Sequence, residues 1–484
     1  INDVRNNRRN TLTPEIRIEM TDRKLSKKEE KRRHYILNGN IWRVVITLSA
    51  PLAIYGLFNY LYGFFDLIMV SHIGGNVVAS VVFIDEIKNA IMAFGGGIAA
   101  GGTVIVARHY GAGDIEKARR NAGQSFSLAF MVSSIVVIIT LLFGRTILAM
   151  LNAPQEIIDD GINYFYIQMA STALIAVNSV FIGLEKAKGN TTRILVLNIM
   201  AMIIKLILSA IFVFFMGKGA AHVAFATLIA QGLLMMVALY IMFDKRNAFQ
   251  LKLKELLLSK QFIIPILALS IPVFTGKFLF SMGKVLVNSM AAVYGPLAVA
   301  AFGIAMKLGG AAGSISIIFE ESETSIISQN LGQKNLKRAF KTYVASHVYA
   351  IVIGGTAMIL VNHYLDLLLP LFTTNADPVF RQMIIDIYFW EKFSTLTSAS
   401  IAVITGVFIG FKFTKMSFAI NVIRLFIFRL PVLWLLQRLG VGYVALGYVM
   451  FISNFLTMVV AIIILIVFYN RVRHYGYMDM QLDR

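Results

Sequence analysis

The stretch LSAPLAIYGLFNYLYGFFDLIMVSHIGG (residues 48–75) returns in outline 221 positions later as LSIPVFTGKFLFSMGKVLVNSMAAVYGP (residues 269–296). The same shift carries Pro51 onto Pro272 and Gly74 onto Gly295. Without a gap it then carries Ala79 onto Ala300, Thr103 onto Thr324, Ile105 onto Ile326, Gly111 onto Gly332 and Ala118 onto Ala339. A register kept over that length marks two copies of one design. The period is far longer than the roughly 20–50 residues of a solenoid unit. In an apolar chain, two parallel copies suit halves that close around a central site.

Of the 484 residues, 57% are hydrophobic and 15% charged, and the mean hydropathy is +0.72. That is more apolar surface than a soluble domain can hide, so lipid is the solvent. Apolar runs of about 20 residues or more, enough to cross the roughly 30 Å hydrocarbon core, fall at 41–72, 77–107, 122–143, 162–183, 194–216, 219–243, 262–293, 298–328, 343–362, 383–410, 416–436 and 442–470. The expected fold is an all-α integral membrane protein with twelve transmembrane helices in two pseudo-symmetric six-helix lobes. Its expected divisions are a charged cytoplasmic extension (1–40), an N-lobe (41–243), a cytoplasmic linker (244–261), a C-lobe (262–470) and a cytoplasmic tail (471–484).

A net charge of +19 would suggest a nucleic-acid partner in a soluble protein. Here the bases gather in alternate connections, as the positive-inside rule expects: 23–33, 108–120, 186–193, 245–260, 334–341, 412–415 and 471–473. The intervening connections, at Gly74, 156–160, Gly217, Gly295, 366–377 and Gly440, are short or mildly acidic. The reading is a monomer in the plasma or inner membrane, both termini cytoplasmic, with the bilayer and no nucleic acid as partner. Residues 1–36 are too charged for the apolar core of a cleaved signal and are expected to form an unstructured positive extension. With no cysteine, disulfides, thiol catalysis and thiolate-held metals are excluded.

Inside the runs each ionisable side chain is costly and a functional candidate by default. Asp66 has no base beside it, and Tyr55, Asn59, Tyr62 and Asp66 recur at i, i+4, i+7 and i+11 as one helical stripe. Such a stripe suits a cavity wall, with Asp66 taking up H⁺ or Na⁺ in one conformation and releasing it in another. The plainer reading is a protonated Asp hydrogen-bonded within the bundle. The seventh run carries Lys277, Ser281, Lys284 and Asn288 at the same spacing, and the eighth carries Glu320, Glu321 and Glu323. Glu320 and Glu323 are expected to share a face, with Glu321 pointing elsewhere. An ion pair between Lys277 or Lys284 and one of these glutamates follows, either gating the protein or holding two helices together. Asp66 falls on Val287 under the repeat, so the first-copy carboxylate has no mate. Arg424 reads as a side chain that snorkels to the interface, while Arg429 lies deeper. Asp85 and Lys88, at i and i+3, can neutralise one another. Gly95, Gly96, Gly97, Gly101 and Gly102 permit close packing or bending.

Enzyme readings fail on the motifs. No strand precedes the glycines, and there is no Walker A loop, no His-Glu-x-x-His pair and no Gly-x-Ser-x-Gly elbow. Transport driven by an ion gradient is left, with no cofactor and no metal beyond a Na⁺ held near Asp66.

The run from Leu48 to Gly75 with Pro51 and Asp66, followed by Tyr110-Gly-Ala-Gly-Asp-Ile-Glu-Lys-Ala118, resembles the multidrug and toxic compound extrusion (MATE) family. The second copy, Gln329-Asn-Leu-Gly-Gln-Lys-Asn-Leu-Lys-Arg-Ala339, is similar to that family's Gln-Asn-x-Gly-x6-Ala loop. Gly183-x5-Gly189-Asn-Thr, Asn198 and Arg424-x4-Arg429-x-Pro431 resemble its bacterial DinF-like branch within the MOP flippase superfamily. The resemblance spans 41–470 and implies two rocking lobes exporting organic cations or other amphiphiles against H⁺ or Na⁺, with Asp66 as the coupling group. The fifth-helix pattern of the family departs here, where Met202, Lys205 and Ser209 replace two Asn and an Asp. Lys205 would then sit as a tethered cation beside Asp66. The alternative is a flippase for a lipid-linked oligosaccharide, whose anionic headgroup would meet Lys277, Lys284 and Arg429.

Overall fold

The computed structural model describes residues 25–71, 75–150, 155–371 and 378–476, and among them every regular element is helical. A short helix, α1 (Lys27–Asn38), precedes twelve long ones: α2 (Ile41–Ser71), α3 (Gly75–Ala112), α4 (Ile115–Met150), α5 (Gln155–Ala187), α6 (Thr191–Phe215), α7 (Ala220–Phe243), α8 (Lys260–Ala291), α9 (Pro296–Gly332), α10 (Leu336–His363), α11 (Pro378–Gly410), α12 (Thr414–Arg438) and α13 (Ala445–Tyr475). Among the described residues eleven helices are long and apolar enough to cross a membrane, and α9 adds the apolar segment Pro296–Gly310 ahead of its glutamates. Each expected run therefore falls on one helix. Residues 156–160, expected in a connection, instead belong to the first turns of α5.

The repeat is visible in how α2 and α8 pack. The first half of α2 (Val44, Val45, Leu48) shares a core with Phe319, Ile326 and Ala345 of the second copy. The first half of α8 (Ile266, Leu269, Val273) joins the core built by α3, α4 and α5 of the first copy. The two helices thus pack across the interface between the copies as well as within their own. The glycines of α3 serve this contact. A Cβ on Gly97 would lie 2.7 Å from Phe274 Cβ, and one on Gly101 2.9 Å from the Ile266 carbonyl oxygen. Gly95 makes the same close approach to Ala176 of α5. Gly95, Gly97 and Gly101 therefore serve close packing, while a Cβ on Gly96 would meet open space.

Two local features position charges. Within α12 the ladder widens to a π-helix over Ile423–Arg429, just before Pro431. Proline cannot donate to the carbonyl four residues back and its ring crowds that carbonyl, which accounts for the bulge. An i→i+5 ladder also draws residues five apart toward one face, and Arg424 and Arg429 are five apart. In the head, Ser26 and Glu29 form a reciprocal capping box, so the expected unstructured extension gives way to α1. Residues 1–24 lie outside the described residues. The linker is pinned to α4, where the Gln124 side chain donates to the Glu255 and Leu257 carbonyls at 2.6 and 2.7 Å and Arg119 pairs with Glu255 at 2.5 Å.

Candidate functional site

The lobes meet at the end of the bundle where the basic connections gather. There repeat mates meet each other. Gly111 on α3 lies against the backbone of Gln329 on α9, and its mate Gly332 lies against Arg108, the mate of Gln329. Around this seam the Arg108 guanidinium donates to the Gly410 carbonyl at 2.8 Å, and the Gln333 amide to the Gly111 carbonyl at 2.5 Å. The Gln329 amide donates to the Ala187 carbonyl at 2.9 Å, and Ser49 and Ser322 share a 2.6 Å hydroxyl bond. Helix α1 straps both lobes. Arg33 donates to the Tyr110 and Gly111 carbonyls, each at 2.8 Å, while Arg338 of the second copy donates to the Ile36 and Gly39 carbonyls at 2.8 and 2.7 Å. Among the groups at this end, outside the spans, that are perturbed are Lys412 and Glu255. Burial, aided by the Arg108 charge, lowers the Lys412 ammonium from its ordinary value to about 8. Burial raises the Glu255 carboxyl despite Arg119. The cross-lobe bond from the Tyr60 hydroxyl to the Lys307 carbonyl lies nearer the opposite end.

Directly above the seam, between the lobes, is a cavity of about 210 Å³. Its wall contains Ala99, Ala100 and Thr103 of α3 together with Glu320, Glu321 and Thr324 of α9. These are three pairs of repeat mates, so the pseudo-twofold axis runs through the cavity. Tyr55 of α2, Ser179 and Lys186 of α5 and Lys277 of α8 add to its polar lining. Lys186 makes a short ion pair with Glu321, joining the lobes across the cavity floor.

This arrangement corrects two expectations about α9. Glu320 and Glu321, not Glu320 and Glu323, face the cavity. At about 100° per residue, positions 320, 324 and 321 span one 100° face, and 323 lies about 60° beyond its edge. Glu323 is fully buried within the second copy, beside Gly406. The ion pair runs to Lys186 rather than to Lys277 or Lys284, because α5 reaches the floor where α9 presents Glu321. The seventh-helix stripe also separates. Lys277 reaches the cavity, whereas Ser281, Lys284 and Asn288 do not line it. The Lys284 ammonium lies 5.7 Å from the Phe280 ring centre.

Arg424 does not snorkel. Its Nε donates to Asn454 Oδ1 at 2.6 Å and its Nη2 to Ser398 at 2.9 Å. Arg429 donates to the same Asn454 oxygen at 2.7 Å and to Ser453 at 3.2 Å. Both guanidiniums lie over Phe280, at 4.6 and 5.4 Å from the ring centre. In the first copy the side chain of Asp66 lies outside the described residues. Beside its helix, the buried Lys205 ammonium sits 4.3 Å from the Tyr62 ring centre. Asn59 is exposed, and Asn198 donates to the Ile194 carbonyl of its own helix at 2.8 Å. The Asp85–Lys88 pair forms at 2.6 Å.

Lys186, Thr103 and Thr324 are cavity residues that the polar-stripe reading did not select, whereas Tyr55 of the first stripe does line the cavity. Lys186 looked like one more base of a positive connection. The signal that could have found the threonines is the repeat itself, since Thr103 and Thr324 are mates.

A family model, MatE, matches residues 51–211 and 272–435, beginning at Pro51 and again at its mate Pro272. The chain is 23% identical over 354 residues to the multidrug export protein MepA of Staphylococcus haemolyticus, covering 72% of this chain and 78% of that one. Among solved structures it is similar to a multidrug resistance MATE family transporter of the MOP superfamily in an outward-facing conformation, with TM-score 0.86 and 20% identity over 94% of this chain and 100% of that one. It is also similar to a MOP superfamily transporter of Pyrococcus furiosus whose binding pocket is described as having reverse polarity, with TM-score 0.84 and 21% identity at the same coverage.

Proposed function

This chain belongs to the MatE family of membrane transporters, and we propose that it is a secondary active exporter of small amphiphilic or cationic molecules, driven by antiport of H⁺ or Na⁺ across the cell membrane. The observation that carries this reading is the cavity on the pseudo-twofold axis, sealed on one side by a seam of repeat mates. Rocking the two lobes about that axis would open one end as the other closes, which is alternating access. The names of the relatives point the same way. In this reading the basic end faces the cytoplasm and both termini lie inside.

Asp66 is the proposed coupling group, four positions along α2 from Tyr62, whose ring the Lys205 ammonium approaches. In this reading a cation on that face of α2 would compete with the coupling ion for the carboxylate, which would link ion binding to the Lys205 position. The lipid-headgroup alternative draws less support, because Arg429 is buried in bonds to Asn454 and Ser453 rather than lining the cavity.

Efflux of a cationic dye from proteoliposomes under separately imposed pH and Na⁺ gradients tests the proposal. Gradient-driven efflux is expected to fall at least about tenfold in Asp66→Asn, the size of losing one charge-dependent step of about 1.4 kcal/mol. Unchanged efflux in that variant would remove Asp66 from the coupling role. Absence of gradient-driven efflux in the unaltered protein, across several dyes, would remove the exporter reading itself.

A further inference from the structure

The hydroxyls in the cavity wall are mostly committed to the backbone. Thr103 donates to the Ala99 carbonyl at 2.6 Å, Ser179 to the Ile175 carbonyl at 2.8 Å, and Thr324 to the Glu320 carbonyl at 2.7 Å. Glu321 and Lys186 hold each other. What remains on the wall is the Tyr55 hydroxyl, the Lys277 ammonium and the Glu320 carboxylate. Among the described residues, none of these three side chains makes a hydrogen bond or ion pair within the protein. Lys277 and Glu320 line the same cavity without pairing.

Lys277 is exposed and Glu320 half-buried at the cavity, so an ammonium and a carboxylate are both open to a ligand that brings the opposite charges. From this geometry we infer that the cavity is a binding site for a small zwitterion of the amino-acid class. The ligand's carboxylate lies on Lys277 and its ammonium on Glu320, with Tyr55 as a third contact. Charge-assisted hydrogen bonds to both ends are the strong kind, and a molecule with only one charge leaves the opposite wall charge unmet. The volume agrees with a small ligand. The cavity of about 210 Å³ is below the roughly 300–1,000 Å³ of pockets for drug-sized ligands and holds about seven waters' worth of volume at roughly 30 Å³ each. This inference rests on the reading that the same cavity holds the transported molecule, and it narrows the chemistry of that molecule.

The test uses the full chain in nanodiscs and four probes of matched length: norleucine and 6-aminohexanoate as zwitterions, hexanoate as the anion and hexylammonium as the cation. At least one zwitterion is expected to bind tenfold or more tighter than either singly charged probe. Lys277→Gln is expected to bring zwitterion affinity down to that of hexylammonium, and Glu320→Gln down to that of hexanoate. The exchanged double variant Lys277→Glu/Glu320→Lys, which keeps both charges on the wall, should recover at least part of the zwitterion preference and so separates recognition from folding. Hexylammonium binding as tightly as both zwitterions, or zwitterion binding that ignores both single variants, overturns the inference, as does failure of both zwitterions to bind. Dye efflux in the same preparation tells the two readings apart. Retained efflux with no zwitterion preference removes this inference alone, whereas lost efflux removes the exporter reading with it.

Discussion

The seam and the cavity above it share helices α2, α3, α5 and α9, yet one obeys the repeat and the other breaks it. At the seam, Gly111 and Gly332 make the same contact on mates of one another, and the two halves are interchangeable. In the cavity, the mates Ala99 and Ala100 of Glu320 and Glu321 are plain methyl groups, and the mate of Lys277 is Gly56. Closure is therefore a symmetric property of the fold, while recognition is carried mainly by charges of the second copy. A closing surface has to mate two equivalent halves, but a ligand has no such symmetry to match.

The sharpest way to break the comparison is at its symmetric side. Gly332→Val places methyl groups into the Arg108 backbone, an overpacking cost of about 1–3 kcal/mol. A thiol placed on the cavity wall as Ala100→Cys, in a chain with no native cysteine, should then be labelled from the basic end about tenfold faster or more. Gly111→Val should match it within about twofold if the seam is symmetric, and a one-sided effect would refute that symmetry.

A smaller effect is expected at the floor. Glu321→Gln or Lys186→Met removes one partner of the cross-lobe ion pair. Because the Glu321 side chain keeps 39% exposure, the cost should be nearer ~1 kcal/mol than the roughly 3–5 kcal/mol of a fully buried pair. The double variant should recover part of that loss in the same labelling assay, and strict additivity would show that the pair does not couple the lobes.

Lys412 adds a pH dependence. It sits at the basic end with Arg108 and His109 facing it from the other lobe. Its folded value, about 8, lies below the ordinary 10.5, so the native protein loses this proton before the unfolded chain does. Stability of the closed seam should therefore be lowest below pH 8 and rise as pH passes from about 8 toward 10.5. Lys412→Gln should flatten that rise in thermal melts, and an unchanged slope would assign it to another group.

The smallest effect sharpens the comparison of the turns flanking the seam. Gly113 after α3 and its mate Lys334 after α9 both adopt positive φ, 85° and 58°. Left-handed backbone costs a lysine about 1–2 kcal/mol that glycine avoids, partly offset by the greater freedom of glycine in the unfolded chain. Lys334→Gly should gain less than about 1 kcal/mol, and Gly113→Ala should lose a similar amount, in denaturation of the purified protein.

Much of the fold was legible because its signals are local. In lipid each helix must satisfy its own backbone bonds, so an apolar run of sufficient length is nearly a helix by itself, and α2 through α13 follow the runs closely. Capping is local too, but the positive charge of the head outweighed Ser26 and Glu29 in the reading, and α1 was missed. The candidate site was legible only in part. Lys277, Glu320 and Glu321 stood out as costly charges and do meet at one cavity. Their partners were not legible, because Glu321 meets Lys186 from 135 positions away and the rotation of α9 decides which glutamates face inward.

The sequence alone determined two copies, twelve helices, the basic end and the unequal charges of the two halves, since each follows from composition and spacing along one chain. Only the tertiary structure decided that α2 and α8 pack across the interface between the copies, that Arg424 and Arg429 are committed to Asn454, and that Tyr55, Lys277 and Glu320, among the described residues, line one cavity without a partner. A single residue of register turns a helical face by about 100°, so which charge meets which is fixed by how the helices rotate and pack against each other.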